Sequence, residues 1–246
     1  MQKIFIHIGA RQGSKSVKNK NIKMLASKPL IAWSILQGLR LKKKLLKKKV
    51  KIVVSSDSKK ILNISKKYKA DFLIKRPKKI SDASSAKFLV WKHSILEIKK
   101  KYGFTNQDIF LDLDCTCPLR KFNDIEKMIN IFEKKKKEKK EFDGIITITE
   151  AKKNPYFNLI ELNNKQQLKV SKKIKEIPVR RQDAPKVFEH VASIYILKPS
   201  FILKKKSLMR GKLYGFEVEQ STSIDIDSNF DFKLVTILKK SGLYKK

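Results

Sequence analysis

A chain of 246 residues with 41% hydrophobic content is long enough to bury one sizeable α/β core, and it contains no run near the roughly 20 apolar residues that cross a bilayer. Its net charge of +36 comes from 59 Lys and Arg against 23 Asp and Glu, yet the densest runs (Lys42 to Lys49, Lys134 to Lys140, Lys204 to Lys206) are lysine, lie in or just after helical segments, and accompany no zinc-finger, RRM or KH signature. These features exclude a transmembrane-helix protein and favour a solvated cationic surface over nucleic-acid recognition, while leaving a field that attracts anionic substrates.

KIFIHIG, residues 3–9, is an apolar run that reads as a strand and not as a secretory leader, so a soluble cytoplasmic protein is expected. It breaks into ARQGSKSVKNKNI, a loop containing Gly13, Ser14, Arg11, Lys15 and Lys20. Backbone amides and cations together neutralise a polyphosphate, so this strand-to-loop step is suited to handling phosphate. Residues 29–44 place apolar side chains at helical spacing, with Pro29 fitting a first turn. Residues 50–57, VKIVVSSD, read as a buried strand whose Asp57 can cap the helix KKILNISKKYK. A short strand at 71–74, the loop RPKKISDASS, a helix over 85–101 and a strand at 108–113 follow. Then come the loop DCTCPLR, a helix from about Asn123 and a strand at 143–149. This repeated order predicts a largely parallel sheet covered on both faces, with ligands beyond the carboxyl ends of its strands.

From Ala151 to Val187 the pattern changes. NPYFNLIELNNKQQLKV reads as a hairpin turning at Asn163 and Asn164, because Asn tolerates left-handed backbone. A polar stretch with Pro178, Arg180, Arg181, Gln182 and Asp183 follows, so residues 151–190 form an insertion within a single domain spanning 1–246. ASIYILK is an alternating strand with Tyr195 expected in the core, and STSIDIDSNFDFKLVTILKK is a strand leading into a terminal helix. Asp225 and Asp227, two apart on an extended segment, point the same way and can face one hard cation such as Mg²⁺; Asp231 is placed to cap the helix. Cys115 and Cys117 are too few and too close for a disulfide framework or a four-ligand zinc site. His7, His93 and His190 are scattered, so no histidine triad or histidine metal site is expected.

Taken in order, GARQGSKSVKNKNI, KRPKKIS, LDLDCTCPLR, NPYFNLIE, RRQDAPKVFEHVASIYIL and SIDIDSNFDF resemble the cytidylyltransferases that activate acidic nine-carbon sugars, the CMP-sialic acid synthetase family. The resemblance spans essentially the whole chain, and NPYFN, RRQDAPKVF and ASIY are similar to its CMP-legionaminic acid branch. It implies a three-layer, Rossmann-like α/β nucleotidyltransferase fold with a largely parallel mixed sheet and a small insertion. It also implies a reaction in which CTP and a 2-keto sugar acid of the legionaminic or sialic type give a CMP-sugar and pyrophosphate, for surface glycan synthesis.

The residues that the resemblance marks for CTP are Arg11, Gly13, Ser14, Lys15, Lys20, Asn21, Arg76 and Ser85, the last requiring a one-residue shift from Ala86. Those marked as catalytic are Arg11, Lys20 and Asp227. Asp114, Thr116, Arg181 and Gln182, oriented by Asp183, are marked for the sugar, and Asp225 and Asp227 for Mg²⁺. The insertion is implied to be a homodimer arm reaching the neighbouring active site. This chain departs from the family at Ser16 and Lys18, where glycine and proline are common, and at Cys115 and Cys117, which take a proline and a serine position. It departs again at Asp114, where glutamine is frequent. Arg120 fits a structural or a catalytic part equally. Three other readings stay open: activation of a different acidic sugar (N-acetylneuraminic acid, pseudaminic acid, Kdo), a lysine-rich nucleic-acid-binding protein, and a catalytically impaired paralogue, which Ser16, Cys115 and Cys117 keep open.

Overall fold

Burial with a period of two decides the architecture. In β1 (Lys3–Gly9), Ile4, Ile6 and Ile8 enter one apolar cluster while Phe5 enters the opposite one; in β6 (Ile109–Leu113), Ile109, Leu111 and Leu113 divide from Phe110 in the same way. A strand apolar on both faces must be covered on both. The computed structural model, which describes residues 2–14, 16–81, 86–176 and 178–242, shows how. β4 (Lys49–Ser56) and β5 (Phe72–Lys75) extend the sheet on one side of β1; β7 (Gly144–Glu150), β10 (Phe188–Leu197) and β11 (Leu213–Glu217) extend it beyond β6. The order is β11-β7-β10-β6-β1-β4-β5, parallel throughout except for β10, which runs antiparallel to β6 and β7.

Helices α1 (Leu30–Lys44), α2 (Lys59–Lys67) and α4 (Phe122–Lys137) contribute Ile31, Ile35, Ile61, Ile125, Met128 and Phe132 to the cluster on one face. On the other face, α3 (Lys87–Tyr102) and α5 (Pro199–Lys204) supply Phe88, Trp91, Ile95, Ile98, Phe201 and Ile202. The three-layer, Rossmann-like arrangement with a mixed, largely parallel sheet is therefore the observed fold. The small pair β2 (Met24–Leu25) and β3 (Lys28–Pro29) packs with α6 (Asn229–Lys240) around Leu25, Leu30, Leu119, Ile226 and Phe232. No helix among the described residues is long and apolar enough to cross a membrane.

Several local expectations change. Ser58, not Asp57, stands at the N-cap of α2; the Asp57 Oδ1 instead accepts the Gln12 amide at 3.0 Å, tying the first loop to the end of β4. The hairpin β8 (Ile160–Leu162) and β9 (Leu168–Val170) forms, but its left-handed residue is Gln166 (φ 59°). Asn163 acts through its side chain, accepting the Lys165 and Gln167 amides at 2.9 Å each. Residues 188–190 belong to β10 and not to the insertion. The SIDID segment joins no ladder; a single backbone hydrogen bond from Ile226 to the Thr116 carbonyl, 2.9 Å, holds it beside the β6 loop. Asp231 does cap α6, closing a capping box with Ser228.

Gly144 lies where β10 and β11 both flank β7, and a Cβ there would come within 2.5 Å of Leu197 Cδ2 and 2.6 Å of the Ile196 carbonyl oxygen. Gly144→Ala should therefore lower stability by about 1–3 kcal/mol, the usual cost of overpacking, read as the urea midpoint. An unchanged midpoint would mean that β7 and β10 part without cost.

Candidate active site

The chain leaves β1 for β4 and β5 on one side, then returns to β6 on the other, so a crevice opens beyond the carboxyl ends of β1 and β6. A cleft of about 360 Å³ lies there, lined by His7, Gly9, Arg11, Ser14, Ser16, Lys20, Asn21, Arg76, Ile80, Lys87, Val90, Trp91, Asp114, Cys115, Thr116 and Asp227.

The loop after β1 is shaped by its own contacts. The Arg11 guanidinium donates to the Gly13 carbonyl, and the Ser14 amide donates to the Gln12 carbonyl at 3.0 Å. Asn21, buried in a short turn at Lys20–Ile22, donates to the Arg11 carbonyl (2.9 Å) and accepts from the Cys115 thiol (3.1 Å), so its amide staples the loop to the end of β6. The Lys20 Nζ donates to the Ile226 carbonyl at 2.5 Å and lies 3.6 Å from Asp227 Oδ1. Arg76 enters from the end of β5, donating to Ser55 O at 2.7 Å and Ser55 Oγ at 3.3 Å; burial holds its pKa below the usual arginine value. A Cβ at position 9 would press on His7, 3.3 Å from its Cε1, and would only touch Arg76, 3.5 Å from Nη2. Lys15 and Ser85, both marked for CTP from sequence, lie outside the described residues.

At the floor of the cleft runs a chain of polar and charged groups of which sequence reasoning marked Asp114 and Thr116 but missed Ser94, Asp112 and Lys87 and gave His7 no part. Ser94 Oγ is 3.0 Å from His7 Nε2, and His7 Nδ1 is 2.5 Å from Asp112 Oδ1. Lys87 Nζ lies 2.9 Å from Asp112 Oδ2 and 2.6 Å from Asp114 Oδ2. Thr116 continues the chain, its amide and hydroxyl donating to Asp114 Oδ1 at 3.1 and 2.9 Å. Burial opposes every charge here, but the partners prevail: Asp112 and Asp114 are held below the carboxylate range, chiefly by Lys87, and Lys87 is raised well above the ordinary lysine value by both. Histidines far apart in sequence thus did not preclude a Ser–His–Asp arrangement in space. Ser94 is fully buried, however, so no substrate reaches its hydroxyl and the chain is no hydrolytic triad.

Arg120 is structural. It is buried and donates to the carbonyls of Ser193 (2.6 Å) and Asp114 and to Ser34 Oγ (2.7 Å), pinning the loop that follows β6. Cys115 and Cys117 are free, buried thiols whose pKa values burial pushes up to about 12 and about 11. They are inert packing groups. Tyr195 is in the core, as expected from its alternating strand.

The two SIDID carboxylates differ. Asp227 is 79% exposed and faces the cleft. Asp225 is largely buried, its Oδ1 without a hydrogen-bond partner among the described residues; burial and the neighbouring Asp114 carboxylate push its pKa up to about 6. Among the described residues no group of three or more His, Cys, Asp or Glu is placed to hold a metal. A hard cation that keeps several waters and takes one or two carboxylates fits the remaining pair, and the orphaned Asp225 oxygen is a vacant acceptor of the right kind.

Arg181 and Gln182 are not brought to this cleft. They line a separate hollow of about 260 Å³ with Glu150, Ala151, Asn154 and Lys186, and Arg181 donates to the Ala151 carbonyl at 2.8 Å. Asp183 pairs with Arg180 (Nε at 3.0 Å), not with the residues it was expected to orient.

The family model described as Cytidylyltransferase matches residues 5–241. The chain is 39% identical over 241 residues to the post-translational flagellin modification protein B of Campylobacter coli, covering 98% of this chain and 96% of that one. It is 38% identical over 239 residues to the CMP-N,N'-diacetyllegionaminic acid synthase of Campylobacter jejuni subsp. jejuni, covering 97% and 95%. A solved CMP:2-keto-3-deoxy-manno-octonic acid synthetase complexed with CTP shares the fold at a TM-score of 0.68, with 16% identity and 98% and 99% coverage.

Asp225 provides a test by pH. Its pKa rises on folding from 3.8 to about 6, so the folded chain holds this proton more tightly than the unfolded one, and stability falls as pH rises through that window. Without divalent cations, Asp225→Asn should melt higher than the native protein at pH 8, by on the order of 1–3 kcal/mol, and the two should converge only below the unfolded carboxylate value, at about pH 3.5. Equal melting at both pH values would show that the carboxylate carries no burial cost.

Proposed function

The chain belongs to the cytidylyltransferase family, and on that premise we propose that it transfers CMP from CTP to an acidic nine-carbon 2-keto sugar of the legionaminic or sialic type, releasing pyrophosphate for surface glycan synthesis. The observation that carries this reading is the gathering of Arg11, Lys20 and Arg76 with Asp114, Thr116 and Asp227 around one cleft at the switch point of the sheet. Cations and hydrogen-bonding groups gathered in one cleft suit a polyphosphate and a polyhydroxylated acid side by side.

In the reaction, the anomeric hydroxyl of the sugar attacks the α-phosphorus; a new O–P bond forms as the bond to the bridging oxygen of the β-phosphate breaks. Charge accumulates on the departing pyrophosphate, and fixed cations there lower the barrier more than they bind the ground state. Lys20 and Arg11 are the groups for this. Lys20 is held by the Ile226 carbonyl and Asp227, and it exchanges these partners for phosphate oxygens when nucleotide enters. Asp225 and Asp227 would hold Mg²⁺, which when bound supplies Lewis-acid charge neutralisation at the phosphates. Asp114 and Thr116, fixed to each other, orient sugar hydroxyls by accepting hydrogen bonds from them, since the amide and hydroxyl of Thr116 already donate to Asp114.

Arg181 and Gln182 sit on the arm formed by residues 151–187, outside the main sheet and away from the cleft of their own chain. A homodimer in which this arm completes the partner's sugar site accounts for that separation. Use of CTP as donor suits the cytoplasm.

Incubation with CTP, Mg²⁺ and a panel of acidic sugars, followed by pyrophosphate release, should give turnover with a nine-carbon acid and little with Kdo. Absence of turnover with every sugar would overturn the assignment. Lys20→Ala and Asp227→Ala should each lower kcat by about 10²-fold or more while leaving the circular dichroism spectrum unchanged. Near-normal turnover in either variant removes that residue from the mechanism.

A further inference from the structure

Lys87 occupies an unfavourable position for a cation. It is the first residue of α3, at the positive end of that helix, preceded by an alanine N-cap that offers no side-chain oxygen. What holds it there is a pair of carboxylates on β6 and its following loop: Asp112 at 2.9 Å and Asp114 at 2.6 Å. Its Nζ also lies 4.2 Å from the centre of the Tyr195 ring and 5.2 Å from that of Trp91. About a third of the side chain remains exposed, and that part faces the cleft.

The cleft that Lys87 enters has an electrostatic problem. Under the function proposed above, on which this inference rests, it accepts two anions, a triphosphate and a sugar carboxylate. Yet Asp112 and Asp114 place two negative charges at its floor. Asp112 is fully buried and paired on its other oxygen with His7, and Asp114 is committed on its other oxygen to Thr116, so neither can turn away. A fixed carboxylate beside an anion site is tolerable only with a cation against it.

We propose that Lys87 is the charge-compensating residue of this cleft. With Asp114 it forms a specificity-determining ion pair: the lysine cancels the carboxylate's repulsion of anionic substrates, and the carboxylate, fixed by Lys87 and Thr116, presents an acceptor-only surface to hydroxyl or amide N–H donors of the sugar. Removing the cation alone exposes uncompensated negative charge to the substrates. Removing the Asp114 charge as well relieves it. The two substitutions are therefore non-additive in the favourable direction, as expected of residues in contact.

The test is a double-substitution cycle of Lys87→Met and Asp114→Asn, with Lys87→Arg as the charge-conserving variant. Calorimetric affinity for CTP is measured first, because it depends on neither the identity of the sugar nor turnover. Lys87→Met should weaken CTP at least tenfold, Lys87→Arg should remain within about threefold of native, and adding Asp114→Asn to Lys87→Met should recover at least fivefold. With the sugar the native enzyme uses, Lys87→Met should raise its KM more than it lowers kcat. Should Lys87→Met not fold, Lys87→Gln, which still offers the buried Asp112 a donor, takes its place in the cycle. CTP affinity within twofold of native in the single variant, or a double variant no better than the single one, overturns the proposal. Native protein that binds no CTP overturns the cytidylyltransferase assignment and this inference together; native turnover with unresponsive Lys87 variants overturns this inference alone.

Discussion

The buried carboxylate of Asp112 is the constraint around which the cleft is organised. A carboxylate taken out of water costs several kcal/mol unless charge and hydrogen bonds replace what it loses, and stripping one partner from such a site costs about 3–5 kcal/mol. Asp112 meets the requirement with His7 from β1 and Lys87 from α3, while His7 is oriented in turn by Ser94 of α3. Three elements that meet nowhere in sequence are thereby locked at the point where β1 and β6 diverge. The geometry of the substrate cleft is inherited from that lock, since Gly9, Lys87 and Asp114 are each within two residues of one of its members or belong to it.

Above that floor the walls are fastened by hydrogen bonds between side chains and backbone groups, some with a charged partner. Asn21 links the first loop to Cys115, Asp57 takes the Gln12 amide, and Arg120 gathers the carbonyls of Asp114 and Ser193. These contacts explain why Cys115 and Cys117 are admissible. Each thiol is a small buried group that donates weakly to an acceptor, Asn21 Oδ1 or the Thr222 carbonyl, and no chemistry is asked of it. They also explain why Lys20 is 11% exposed even though it faces a cleft: the SIDID segment closes over it through the Ile226 carbonyl. A site held from behind in this way keeps its cations in place before the substrate arrives.

The sheet was legible where burial was two-sided. β1, β4 and β6 appear as unbroken apolar runs because helices cover both faces, and the alternation of these runs with helical spacing foretells the parallel core. Elements that are short or one-sided left weaker marks. β11 is a five-residue edge strand with three residues exposed, and α5 is six residues long; neither generates enough periodicity to stand out from lysine-rich surroundings. The SIDID alternation imitates a strand because Ile224 and Ile226 pack with α6, not because the backbone pairs. In the site, Arg11 and Lys20 stood out in the loop after the first strand and Asp227 through its spacing from Asp225, while Asn21, Arg76 and Asp114 were marked by the family resemblance. Lys87 did not, since one lysine among dozens at the start of a helix carries no pattern; only the fold reveals the two carboxylates beneath it.

The same contrast settles what the charge of +36 does. Most of it lies on exposed lysines, many engaged in surface pairs such as Lys44 with Glu126, Lys100 with Glu97 and Lys169 with Glu161, each worth about 0–1 kcal/mol and screened beyond roughly 8–10 Å at physiological salt. Such a field speeds the arrival of any anion but distinguishes none. Discrimination requires cations whose position is fixed and whose solvation is restricted, and in this cleft those are few: Lys20 under the SIDID segment, Arg76 against Ser55, and Lys87 between its carboxylates. Lys20 faces the cleft against one exposed carboxylate, Asp227 at 3.6 Å, and Arg76 against the carbonyl and hydroxyl of Ser55, whereas Lys87 is held between two carboxylates, Asp112 and Asp114. Nucleotide is drawn by the less opposed pair; the more opposed one contributes shape and a fixed acceptor. Attraction and selectivity are thus carried by different lysines, and composition alone could report only the first.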